Sequence, residues 1–216
     1  MAGGKLWAPQ HVAGVTLIVG CALLLAGATL YTFVRDPNGP VIFGQPTREW
    51  LRLVHEHETY WRAATLLFIA GVLVTTAGFV LLTQLLRAAG DPGFSQVALF
   101  AFAFGAMPWV INLAARLTVD PWAGNALATT GSVPEAYAPI SLWTGALFII
   151  YTILSFVGLM LYGGAILSTH MLPQWSGWLA IVYGAAGLGI FAIAHDAPPF
   201  MHYLTPILFG VLLLLM

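Results

Sequence analysis

Charge is what this chain has least of. Its 216 residues include seven lysines and arginines and eight aspartates and glutamates, 7% in all, against about a quarter in a soluble domain. With 60% of the residues hydrophobic, a single soluble core has no room for the apolar surface, and a soluble globular protein is excluded. The formal net charge is −1 and no basic block occurs, so the chain carries neither the footprint of a nucleic-acid binder nor a polybasic patch for lipid head groups. Cysteine is scarce as well. Cys21 stands alone inside an apolar run, which excludes a disulfide framework or a thiolate metal cage within one chain. The short alternating strands of a membrane β-barrel are missing, and so are the GxSxG, Walker, Rossmann and zinc-ribbon patterns.

What the chain does have is apolar runs of about 20 residues, the length that crosses a hydrocarbon core of about 30 Å. The sequence predicts an all-α, polytopic membrane helical bundle forming one transmembrane domain. Six spans are expected, at about 11–34, 63–86, 95–117, 140–167, 178–194 and 201–216. Lys5 precedes the first run, but no small-residue cleavage site follows it, so it is read as a retained span. The last apolar tail, from Ile207 to Met216, reaches only about 15 Å at 1.5 Å per residue. Either the sixth helix starts earlier, near Met201, or the chain stops before its natural end.

Alternate crossings put the segments 35–62, 118–139 and 195–203 at one end of the bundle, called here the loop face. The N-terminus and the segments 87–94 and 168–177 lie at the other. Arg35, Arg48, Arg52, Arg62 and Arg116 on the loop face outnumber Lys5 and Arg87 opposite, and a strict positive-inside count makes the loop face cytoplasmic. Most of those arginines stand among acids in or beside helices, however, and the long Gly/Pro-containing loops look exported. The reading adopted is a multi-pass cell-membrane protein with a cytoplasmic N-terminus. Its partners are the lipid bilayer and other membrane subunits, and nucleic acid is not among them.

Ionisable residues gather before the second span, in REWLRLVHEHETYWR. On a helix His55 and His57 are about 200° apart and cannot hold one ion, and the i,i+4 spacing of HExxH is missing. Arg48, Arg52, His55, Glu56, Thr59 and Arg62 share a polar face, while Trp50, Leu53, Val54, His57 and Trp61 share an apolar one. This describes an amphipathic interfacial helix over 47–62. No glycine or proline interrupts it, so it is expected to run unbroken into the second span. Glu58–Arg62 and Arg52–Glu56 are i,i+4 pairs on it. His57, among tryptophans and aliphatics, needs a hydrogen-bond partner or a ligand.

The third span carries Asn112, Arg116 and Asp120 at i, i+4 and i+8, within about 80° of one another. Pro108 on the same edge should kink the helix and free the carbonyl of Phe104. Arginine near the hydrocarbon boundary pairs or snorkels, and Arg116 is expected to pair with Asp120 or Asp196. The helix is expected to end before Pro121. The turn AHDAPPFMHY brings His195, Asp196 and His202 to the same end. It is either a metal or haem site or a hydrogen-bonded loop. Tyr151, Ser155 and Tyr162 line a polar cavity or bond a neighbouring helix. Trp7, Trp109, Trp143, Trp175 and Trp178 read as belt or packing residues.

The stretch LPQWSGWLAIVYGAAGLG, residues 172–189, resembles a Pro-x-Trp-x-Gly-Trp segment followed by a Gly/Ala-rich span in small bacterial integral-membrane proteins grouped as domains of unknown function. The resemblance implies about six spans and a bacterial inner membrane, and it supplies no activity. Three functions stay open. The leading one is a non-catalytic membrane component, either an accessory subunit or a small-molecule or lipid-binding protein, with His57, Asn112, Arg116, Asp120, His195, Asp196 and His202 around the pocket. The second is a membrane redox protein or metalloenzyme, in which His57, His195 and His202 hold a metal ion or haem and Asp196 orients one of them. The third is a transporter.

Overall fold

The computed structural model describes residues 8–34, 47–194 and 199–216. Among these the chain is all helical: α1 (Pro9–Tyr31), α2 (Thr47–Glu56), α3 (Glu58–Ala88), α4 (Phe94–Thr130), α5 (Tyr137–Thr169), α6 (Gln174–Ala194), a 3-10 turn (Pro199–Tyr203) and α7 (Leu204–Leu214). Helices α1, α3, α4, α5 and α6 are long and apolar enough to cross a membrane. The protein is a polytopic helical membrane bundle. The shorter α7, 11 residues, spans only about 16 Å and lies against α1.

Across the bundle the helices follow the order α7, α1, α3, α4, α5, α6, each packed on its neighbours, while α6 and α7 barely meet. Small residues set the approach, as in membrane bundles generally, where lipid is as apolar as the helix surface and close packing must supply the attraction. A Cβ at Gly14 would lie 2.7 Å from Gly210 O, and one at Gly163 would lie 2.5 Å from Gly177 O. Polar links add to this. Tyr162 and Thr83 share a hydrogen bond of 2.8 Å between α5 and α3. The reading of Tyr162 as interhelical glue therefore holds, and Tyr151 likewise bonds Tyr203. At the far end from the loop face, Asp91 Oδ2 accepts from the backbone N–H groups of Gly93 and Ser95 and from Ser95 Oγ, which satisfies donors at the start of α4.

Two expectations about helix continuity are overturned. The helix beginning at Thr47 does not run unbroken into the second span: it breaks at His57, with φ −118° and ψ 32°. His57 N–H still donates to Leu53 O at 3.0 Å, and its carbonyl accepts from Trp61 at 3.0 Å. The bonds that bracket His57 survive the bend, which needs neither glycine nor proline. Its cause is packing. Helix α2 lays Leu51, which is fully buried, beside Ala123 and Leu127 of α4 and Tyr137 of α5, while α3 turns into the bundle. One straight helix cannot do both.

The third helix does not end before Pro121. It continues to Thr130 with Pro108 and Pro121 inside it, and 118–130 is helix rather than loop. Proline at 121 removes the N–H that would bond Leu117 O. Arg62 Nη1 replaces it, at 3.1 Å from that oxygen, and Trp61 Nε1 donates to Arg116 O at 2.7 Å. The helix stops at Gly131, whose φ of 73° favours glycine. With 37 residues, α4 is about 55 Å long at 1.5 Å per residue and overshoots a bilayer core. Helix α2 packs on that overshoot.

Candidate functional site

The site lies at the loop-face end, where α1, α2, α3, α4 and α5 meet. Helix α4 supplies its spine: Trp109, Asn112, Arg116 and Asp120 follow at i, i+3, i+7 and i+11 on one face. Trp109 is buried, stacked on Tyr151 of α5 with centroids 5.0 Å apart and planes 9° from parallel. It also meets Phe68 of α3 edge-on at 6.4 Å. Asn112 Nδ2 donates to Thr144 O on α5 at 2.8 Å.

The Arg116 guanidinium is covered on two sides. Its carbon is 5.5 Å from the Trp109 ring and 6.0 Å from that of Trp50 on α2. Each cation–π contact is worth about 0.5–2 kcal/mol, more as water is excluded. Trp50 in turn meets Trp61 edge-on at 5.0 Å, and Trp61 meets Tyr31 at 4.9 Å. The Tyr31 hydroxyl is hydrogen-bonded to Thr65 at 3.0 Å and lies within reach of the guanidinium. The result is an aromatic enclosure around a permanent cation.

Asp120 is close enough for its charge to act on Arg116, but the two form no direct ion pair within 4.0 Å among the described residues. The carboxylate is occupied otherwise: Tyr137 donates to Asp120 Oδ1 at 3.2 Å, and the Trp50 indole reaches the same carboxylate. The expected Arg116–Asp120 pair is thus replaced by aromatic stacking on one side and neutral donors on the other. The physical reason is that α4 stays helical past Pro121, so Asp120 cannot fold back and instead faces α2 and α5.

Three buried polar atoms on this face have no hydrogen-bond partner among the described residues: Trp109 Nε1, Asn112 Oδ1 and Arg116 Nη1. Orphaned groups of this kind are uncommon, because each costs about 1–3 kcal/mol if left unmet. The Asn112 amide cannot simply turn over, since its oxygen would then face the carbonyl of Thr144.

Of the residues singled out in the sequence, Asn112, Arg116 and Asp120 come together here. His57 forms the α2–α3 bend, and His55 faces α4, its Cβ close to Gly124. His202 lies deeper in the bundle. It is fully buried between Tyr151 and Phe156, with ring centroids at 4.9 and 4.4 Å, one ring beyond Trp109. His195 and Asp196 lie outside the described residues. Among the described residues no three His, Cys, Asp or Glu side chains are grouped to hold a metal ion. Trp50, Trp61, Tyr31 and Tyr137 were not expected at a pocket. The available signal was spacing, because Trp109 precedes Asn112 and Arg116 by three and seven residues.

Outside the enclosure the charged face is ion-paired as its spacing predicts. Arg62 meets Glu58 at 2.6 Å, and Arg52 meets Glu56 at 2.6 Å and Glu49 at 2.5 Å. Glu49 and then Glu56 hold Arg52 above its ordinary range, but these side chains are exposed and the pairs contribute little.

No protein-family model, curated protein or solved structure matches the chain. The functional reading rests on the geometry alone.

Proposed function

We propose that this protein is a non-catalytic membrane component that binds a small molecule in the loop-face half of the bundle. One observation carries the reading: Trp109 Nε1, Asn112 Oδ1 and Arg116 Nη1 are buried, unpartnered and on one face of α4. Trp109 and Asn112 are only 1% and 3% exposed, so bulk solvent does not supply the missing bonds. The enclosure also suits binding. Aromatic walls exclude water, and a few placed polar atoms give orientation. Five elements contribute to it, so an occupant would tie them together.

The test is native mass spectrometry of the chain purified from its own membrane, paired with melting in detergent. The expected result is a small molecule bound one to one, lost from the double variant Trp109→Phe/Arg116→Gln. Re-adding that molecule at about 100 times its Kd should stabilise the wild type by about 2.7 kcal/mol and the variant by much less. A bare wild-type mass, together with no compound from a polar metabolite panel that raises its melting temperature above the variant's response, would overturn the reading.

A further inference from the structure

Resting on that reading, we propose that the bound molecule is a small monocarboxylic acid bearing a hydroxyl or amino group on the adjacent carbon, that is, a 2-hydroxy or 2-amino acid. The three orphaned atoms, on one edge of α4, point to it. Arg116 Nη1 and Trp109 Nε1 are donors that cannot accept, so both call for oxygen. A carboxylate offers two coplanar oxygens, and its hydrogen bonds to a guanidinium are among the strong, charge-assisted ones.

Charge points the same way. Arg116 cannot deprotonate. Among the described residues Asp120 acts on Arg116 through its charge, while its hydrogen bonds come from Tyr137 and Trp50. A cation flanked by Trp50 and Trp109, with no ion-pair partner among the described residues, favours an anion. The field of Asp120 still acts on whatever binds beside Arg116, and like charges in a partly dry site repel strongly. That selects a single negative charge over the dianion of a phosphate monoester.

Asn112 adds the third requirement. Its Nδ2 is fixed on Thr144 O, which leaves Oδ1 an acceptor facing no donor. A plain carboxylate has nothing to give it. A hydroxyl or ammonium on the neighbouring carbon does.

The test is calorimetric titration of the full chain in detergent with lactate, alanine, propionate, lactamide and inorganic phosphate. Lactate or alanine should bind tightest, and which of the two wins separates the hydroxy from the amino acid. Propionate lacks the donor and lactamide lacks the charge, so each should bind about tenfold more weakly or worse. Trp109→Phe keeps the ring and should weaken lactate and propionate alike by about tenfold, whereas Arg48→Ala on the outer face should leave both unchanged. Propionate and lactamide binding as tightly as the preferred acid, or phosphate binding tighter than any of them, would overturn the acid assignment while leaving a ligand site in place. Silence from all five probes, together with a bare chain in the mass spectrum, would remove both readings.

Discussion

Trp61→Ala should lower stability in detergent by about 3–5 kcal/mol, the range for emptying a fully buried tryptophan site. Trp61 is completely buried, touches the rings of Tyr31 and Trp50 and donates to Arg116 O at 2.7 Å. Trp61→Phe keeps most of the ring volume but removes that carbonyl's second donor, and should cost about 1 kcal/mol. The neighbouring bond, from Arg62 to Leu117 O, gives a sharper check. In a Pro121→Ala background the new amide N–H can bond Leu117 O itself, so Arg62→Ala should cost clearly less there than in the wild type. Thermal melts of the four proteins in this double-mutant cycle decide it. Equal costs in the two backgrounds would mean that Arg62 does not stand in for the proline's missing donor.

Gly20→Val should be as damaging by a different route. A Cβ at position 20 would lie 2.5 Å from the backbone nitrogen of Thr75, so α1 and α3 would have to separate. Ordinary overpacking costs about 1–3 kcal/mol, and here the obstacle is backbone, which cannot rotate away. The loss should exceed that range, and the folded yield should fall. Gly145→Ala provides the contrast: nothing lies within 4 Å of its added Cβ, and alanine is the better helix former by about 0.5–1 kcal/mol. A Gly20→Val protein that melts with the wild type would refute the close approach of α1 and α3.

Much of the fold is legible in the sequence because hydrocarbon leaves the backbone few choices. Apolar runs of span length become helices. The ion pairs on α2 and at the start of α3 follow from i,i+3 and i,i+4 spacing, which is local. The two failures have one origin, since both depend on contacts distant in sequence. Pro121 looks like a helix end until Trp61 and Arg62 are seen to bond the carbonyls of Arg116 and Leu117, each 55 residues further along the chain. The segment around His57 looks like continuous helix until α4 is found long enough to draw α2 aside.

The same holds for the site. Asn112, Arg116 and Asp120 are visible as a helical edge, and one continuous helix carries all three. Pairing Arg116 with a carboxylate was the economical expectation for a cation near hydrocarbon. With Asp120 no such pair forms, because aromatic rings from α2 and from α4 itself flank the guanidinium, and nothing in the sequence of α4 shows that Trp50 will arrive from α2; Asp196, the other acid expected there, lies outside the described residues. In the metal-ligand pattern His57, His195, His202, drawn from residue type and from the spacing across the AHDAPPFMHY turn, His195 lies outside the described residues. His57 belongs to a bend and His202 to a tyrosine and phenylalanine pocket.

The most direct measurement is an experimental density map of the full chain, purified from its native membrane, at a resolution that shows side chains and small molecules around Arg116. The account predicts the guanidinium between Trp50 and Trp109, Asp120 on Tyr137, and density for a small molecule touching Arg116 Nη1, Trp109 Nε1 and Asn112 Oδ1. A direct ion pair between Arg116 and Asp120 or Asp196, with Trp109 Nε1 bonded to a protein oxygen, would contradict it.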